Sequence, residues 1–323
     1  MNKLLGTVLT SALTISLLAG CGTSTSSKKK VGIIQFMDHT SLNEIKDSFD
    51  KEMKTLGYDD KNIEYTFKNG QGDTNTCASI ANDFAGKNFD CVMAIATPAA
   101  QAVAKLATKT PVVFSAVTDP VGAQLTSSLS KPDKNITGTS DEVQVDQIID
   151  KALEINPNTK TIGMLYNKGE ANSVTNIKKA KAYCAKKNIK VEEATIASVN
   201  EAQSAVNVLN SKCDAIFAPN DNTVASAMNV VSDACKKANK PLYVGADSMV
   251  KDGGFLSVGI DYKELGKETA KIVDKVLKGN KAENIPVKVF KTNLKIYVNT
   301  TTKDKLGIKL PENITSDSKY TEI

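Results

Sequence analysis

The feature that most constrains this chain is that it contains one α/β unit twice. Residues 90–119 read DCVMAIATPAAQAVAKLATKTPVVFSAVTD, and residues 214–247 read DAIFAPNDNTVASAMNVVSDACKKANKPLYVGAD. Each copy opens on an Asp and runs through a short apolar strand (91–96; 215–218) into a small polar turn and an Ala/Val-rich helix. A Lys, a Pro, a second apolar strand (112–117; 242–246) and a closing Asp follow. Unbroken apolar strands alternating with helices make a parallel sheet covered on both faces, and its crossovers are right-handed. Two such units predict two similar lobes. Ligands of open sheets sit beyond the carboxyl ends of the strands, where helix starts leave backbone N–H groups free. The residues predicted at those ends are Thr97 with Pro98, and Asn220, Asp221 and Asn222 with Thr223. Pro98 suits a first helical position, with Thr97 and Asn222 as caps.

The flanking segments extend the parallel. VGIIQFMDH (31–39) is a predicted strand ending in polar residues, and the next stretch carries Leu42, Ile45, Phe49, Met53 and Leu56 at helical spacing, with Gly57 as the stop. INPNTKTIGMLYN (155–167) is its counterpart, with Tyr166 and Asn167 where Phe36 and Asp38 stand in the first half. NITGTSD (135–141) and FLSVGIDY (255–262) read as extended links, with a third crossing near 290–295. ELGKETAKIVDKVLKGN is a helix assigned back to the first lobe, KIYVN is a last strand, and the tail SDSKYTEI carries no structural signal. The expected fold is α/β, two Rossmann-like lobes with parallel sheets joined by a multi-strand hinge. Lobe one takes 31–138 plus 260–290, and lobe two takes 139–259 plus 291–323. Several crossings give a hinge a defined axis, so closure around a ligand follows.

Composition removes several function classes. The net charge of +5 is too small to argue for a nucleic-acid partner. Every basic residue except His39 is Lys and none is Arg, so no bidentate guanidinium is present to grip a carboxylate or read a base. His39 is the only His, which excludes a metal site built on several imidazoles and leaves one candidate for His-based catalysis with no evident Ser or Cys partner. No GxGxxG follows the first strand and no GxxxxGK[ST] occurs, which argues against a nucleotide-dependent enzyme. No catalysis, metal or cofactor is expected. Cys77, Cys91, Cys184, Cys213 and Cys235 lack CxxC or Cys/His spacing and read as small hydrophobes, with one disulfide left open.

The first 21 residues, MNKLLGTVLTSALTISLLAGC, have a basic start at Lys3, an apolar run from 8 to 18 and the tetrapeptide Leu18, Ala19, Gly20, Cys21. This resembles a bacterial lipoprotein signal (1–20) in which Cys21 becomes the lipidated first residue of the mature chain. The apolar run is too short, and too broken by Thr and Ser, for a membrane span. The stretch 21–30 then reads as a tether, whose Lys28, Lys29 and Lys30 either lie against anionic headgroups or act as a solvated spacer.

IIQFMDH, NGQGD, IATPAAQA, PVVFSAVTDPVGA, NITGTSD, GMLYNKGEANS, PNDNTVAS and GIDYKELGKETA, in this order, resemble the substrate-binding lipoproteins of ABC transporters. The likeness is to the family whose studied members take up aromatic amino acids such as tryptophan, phenylalanine or tyrosine, and it covers nearly all of 31–311. It implies a type I periplasmic-binding-protein-like fold that traps its ligand by hinge closure. It also implies an ABC permease and ATPase as partners, and a monomer held to the extracytoplasmic face of the cell membrane by its lipid. A surface adhesin or ligand sensor is the alternative that lipid anchoring serves equally well.

An amino acid needs donors for its carboxylate, acceptors for its ammonium and a lining for its side chain. Thr97, the N–H groups after it, and Thr118 are the expected carboxylate donors. Asp119, Asp221 and Asp247 are the candidates for the ammonium, Asp247 first. Asn167, Glu170, Asn172 and Ser173 form a polar turn opening a helix of lobe two, placed to contact the ligand, seal the cleft or cap the helix. Gln35, Phe36 and His39 are expected to line the side-chain pocket. Phe36 and Tyr166, with Tyr262, are the aromatics expected to stack on a ring, whereas Phe114 reads as core.

Overall fold

The computed structural model describes residues 28–292 and 294–323. The signal stretch and Cys21 lie outside the described residues. Among the described residues there are thirteen strands: β1 (Lys29–Gln35), β2 (Ile63–Asn69), β3 (Cys91–Ile95), β4 (Val112–Ser115), β5 (Ile136–Ser140), β6 (Thr161–Tyr166), β7 (Lys190–Thr195), β8 (Ala215–Ala218), β9 (Leu242–Val244), β10 (Leu256–Gly259), β11 (Lys288–Val289), β12 (Lys295–Val298) and β13 (Tyr320–Glu322). They form two sheets, ordered β11-β5-β4-β3-β1-β2 and β13-β12-β10-β9-β8-β6-β7. The first sheet is parallel throughout. In the second, β12 runs antiparallel to β10 and β13 pairs with β12, so an antiparallel pair edges an otherwise parallel sheet.

The duplicated unit becomes β3–helix–β4 in one lobe and β8–helices–β9 in the other. Its opening Asp does the same work in both. The carboxylate of Asp90 accepts the Lys30 backbone N–H over 2.8 Å, and that of Asp214 accepts the Lys160 N–H over 2.8 Å, fixing β3 beside β1 and β8 beside β6. These staples lie at the amino ends of the strands, away from the cleft.

Burial on both faces explains the apolar runs. Phe49, Phe84 and Phe114 are fully buried in lobe one, and Phe217 and Phe255 in lobe two, each contributing roughly 1.5–3 kcal/mol relative to exposure. Phe114 is core, as its sequence context suggested. Cys77, Cys91, Cys184, Cys213 and Cys235 are buried free thiols. The Tyr262–Leu277 helix packs against the Thr40–Thr55 helix on sheet one, in the lobe assigned to it. Gly266 makes that crossing possible, because a β-carbon there would stand 2.4 Å from the Ile45 carbonyl oxygen.

Three expectations change. β5 belongs to sheet one along its whole length, so a division at 138/139 cuts through a strand. NITGTSD and FLSVGIDY are mostly sheet strands, and the first two crossings shrink to 141–144 and 260–261, with the third between β11 and β12. The tail is also ordered, forming a short helix (Glu312–Thr315) and β13.

Candidate functional site

The carboxyl ends of both sheets face one another across a cleft. Two of them are held in unusual backbone conformations. Ala96, after β3, has φ 80° and ψ 155°, and Ala116, after β4, has φ 55°. Left-handed or otherwise sparse conformations cost a non-glycine residue about 1–3 kcal/mol, and such strain clusters at functional sites. The Ala96 turn starts the Thr97–Val103 helix at the cleft, so the cap position falls on Ala96 and not on Thr97. In the second lobe Asp221, not Asn222, is the cap, its side chain accepting the Val224 N–H over 2.8 Å. Gly245 lets β9 pass beneath this loop, since a β-carbon there would meet the Asn220 nitrogen at 2.4 Å.

Between the lobes lies a cavity of about 10 Å³. His39, Thr97, Thr118, Asn172, Asn220 and Asn222 line it. Tyr262 also lines it and is its one phenol.

Asp141 lines it too and was missed among the candidates. It directly follows β5, and three groups converge on its carboxylate. Thr118 Oγ1 donates to Oδ1 over 3.0 Å, while Asn220 Nδ2 and the Tyr262 hydroxyl each donate to Oδ2 over 2.6 Å. Burial raises the Asp141 pKa and the donors oppose that rise. Its one sequence signal is its position, an acid immediately after a strand whose neighbours in the sheet also end in polar residues. Ser41, Leu42, Ala116, Ala225 and Met249 complete the wall and were also not foreseen.

A second buried carboxylate organises lobe two. Glu170 Oε1 accepts the Thr223 N–H and hydroxyl over 3.0 and 2.9 Å, and Oε2 accepts the Asn222 N–H over 3.1 Å and the Asn222 amide NH₂. Burial and the neighbouring Asp221 raise its pKa, against these donors. Asn222 Oδ1 reaches across the cleft to His39 Nε2 at 3.1 Å. Burial lowers the His39 pKa to about 4, so its ring is neutral. His39 Nδ1, Thr97 Oγ1 and Asn172 Oδ1 are buried without any partner among the described residues, which is uncommon for buried polar atoms.

The remaining candidates do not line the cavity. Gln35 is buried behind it, its amide donating to the Met37 carbonyl over 2.9 Å and to Asn43 over 2.7 Å. Phe36 packs in the lobe-one core, and Pro98 is buried in the first turn of its helix. Asp119 closes a turn by accepting the Gly122 N–H over 2.9 Å. Tyr166 points to the outer strand, where its hydroxyl donates to Glu193 over 2.9 Å, so neither it nor Phe36 is a stacking face. Asn167 and Ser173 brace Asp221, whose carboxylate accepts the Asn167 N–H over 2.6 Å. Asp247 is buried and paired with Lys251 over 2.8 Å, with burial pushing its pKa to about 6. Lys251 also bridges to Glu44 of lobe one over 2.9 Å, and Ser41 bonds Ser248, so this corner holds the lobes together beside the cavity.

Residues 30–321 match the family described as ABC transporter substrate binding protein. A tyrosine-binding protein of Clostridioides difficile is 33% identical over 300 residues, 88% of this chain and 87% of that protein. The crystal structure of an ABC domain in complex with L-Trp from Streptococcus pneumonia is 39% identical, with a TM-score of 0.87 over 92% of this chain and all of that one. The ligand-free, open structure of a substrate binding protein with adhesive properties from Clostridium difficile is 34% identical, covering 91% of this chain and 99% of that one, with a TM-score of 0.68.

Proposed function

The chain belongs to the ABC transporter substrate binding protein family, and from that premise we propose that it captures an aromatic amino acid between its lobes by hinge closure, without performing chemistry on it. The observation that carries this reading is the cavity wall, a buried carboxylate at Asp141 beside partnerless polar atoms at Thr97, Asn172 and His39. A buried carboxylate favours an ammonium through charge-assisted hydrogen bonds. Asp141 takes that role in place of Asp247, which is already paired. Thr97 and the N–H groups of the turn it opens receive the ligand carboxylate, and Leu42, Ala225, Met249 and Tyr262 supply the apolar lining.

The aromatic assignment draws on the tyrosine-binding relative and the L-Trp complex. Closure is supported by the better superposition on the L-Trp complex than on the ligand-free, open relative at similar identity. A cavity of about 10 Å³ holds about one water, so a ligand of this size enters as the lobes part. We further propose that Cys21 carries a lipid, that the chain works on the extracytoplasmic face of the membrane as a monomer, and that it delivers its ligand to a permease driven by an ATPase. The adhesive relative favours a second reading, in which the anchored protein also binds surfaces.

Calorimetry with L-tyrosine, L-phenylalanine and L-tryptophan on ligand-stripped protein tests the main reading. Heat from at least one is expected, and silence from all three rejects it.

A further inference from the structure

We infer that His39 is the residue that reads the ligand side chain, offering its Nδ1 lone pair to a donor on the ring, so that the preferred ligand carries a phenol hydroxyl or an indole N–H. This rests on the aromatic amino acid reading and refines it.

The argument starts at Glu170. Both of its oxygens face backbone N–H groups, which can only donate, so both oxygens accept. The Asn222 amide therefore turns its NH₂ to Glu170 and its Oδ1 to His39. An amide oxygen can only accept, so the proton of the neutral imidazole sits on Nε2 and Nδ1 is bare. That nitrogen is buried and meets no donor among the described residues. Asn172 behaves the same way, because its NH₂ donates to the Asn220 carbonyl over 3.0 Å and leaves a partnerless Oδ1 at the cavity. The Asn172 NH₂ also reaches Glu170 Oε2 over 3.4 Å, so one carboxylate helps orient both amides, and His39 Nδ1 and Asn172 Oδ1 are left as bare acceptors at the cavity wall.

The strand order says which part of a ligand meets that wall. Asp141 follows β5, Thr118 follows β4, Thr97 follows β3 and His39 follows β1, in the order in which those strands lie in the sheet. With the ammonium and carboxylate at the first three, His39 stands one further strand spacing, about 5 Å, beyond Thr97. That is the direction left for the side chain.

Calorimetry on the folded chain with L-tyrosine, L-tryptophan, L-phenylalanine and O-methyl-L-tyrosine tests this. Tyrosine or tryptophan is expected to bind about 10- to 100-fold more tightly than phenylalanine and the methyl ether, as expected when a buried acceptor is left unpaired. Equal affinity across the four overturns the inference and leaves the aromatic reading standing, whereas no binding by any of them removes both. Because His39 is the only His, ¹⁵N-histidine NMR reports its tautomer directly. The Nε2–H form is expected at pH 7; an Nδ1–H form or an imidazolium overturns the inference. Glu170→Gln, which frees the Asn222 amide to turn, is expected to mix the tautomers and shrink the preference. The tautomer measurement needs no variant, so it decides the matter even if Glu170→Gln fails to fold.

Discussion

The hydroxyl of Tyr262 donates to Asp141 Oδ2 over 2.6 Å, although Asp141 opens one crossing between the lobes and Tyr262 begins the helix that another crossing leads into. This bond ties one hinge segment to the end of another at the cavity wall. Asp141→Asn is expected to weaken aromatic amino acid binding by about 2–4 kcal/mol, the usual consequence of breaking a buried charged pair. Tyr262→Phe removes one donor of three and is expected to cost about 1 kcal/mol. Isothermal titration measures both, and unchanged affinity in Asp141→Asn would move the ammonium elsewhere.

Lys251 joins Glu44 of lobe one to Asp247 of lobe two. Glu44→Gln leaves the buried Asp247 with its partner and removes only the link between lobes. It is expected to favour the open arrangement by about 0.5–1 kcal/mol, less at high salt, visible as a larger radius of gyration by small-angle scattering. Lys251→Met leaves Asp247 buried and unpaired, so it is expected to lower the melting temperature as well.

His39 gives closure a pH dependence of known sign. Its pKa falls from an ordinary 6.5 to about 4 when the ring is shielded, the nearby Asp38 charge only partly opposing this. The closed form thus binds fewer protons, and its full stability is present above pH 6.5 and declines as pH falls toward 4. Glu170 and Asp247, whose pKa values are raised, act in the opposite sense over their own ranges. The His39 part is therefore read as the difference between wild type and His39→Gln. Ligand affinity from pH 7 to pH 5 is expected to fall more steeply in wild type, by roughly 2 kcal/mol at most.

Gly266 is a packing requirement. A side chain there meets the Ile45 carbonyl and the Ser48 hydroxyl. Gly266→Ala is expected to destabilise lobe one by about 1–3 kcal/mol through overpacking, read as a lower midpoint in urea, with no direct effect on the cavity wall.

The two lobes were legible because duplication and buried-strand patterning are strong, local signals. The strand-end residues Thr97, Thr118, Asn172, Asn220 and Asn222 followed from the general position of ligands in such sheets. Asp141 was not legible, because its role is made by Thr118, Asn220 and Tyr262, which lie 23, 79 and 121 positions away. Asp247 and Asp221 misled for the converse reason. Their strand-end positions are as expected, but Asp221 already accepts the Asn167 and Val224 N–H groups, and Asp247 gives one oxygen to Lys251 and stands outside the cavity wall, its Oδ1 buried without a partner among the described residues. The lobe-one cap shifted by one residue because Ala96 accepts a positive φ that its sequence does not advertise, and the lobe-two cap because the Asp221 carboxylate takes the Val224 N–H. β13 escaped because three residues on an edge carry no periodicity to read.

The three crossings, at 141–144, at 260–261 and between β11 and β12, have a mechanical consequence. One strap between two rigid bodies would permit swivel, bend and slide, whereas three short straps side by side leave a single soft rotation, a jaw opening about one line. The gap between Glu44 and Lys251 then becomes a one-dimensional gauge of how far that jaw has closed.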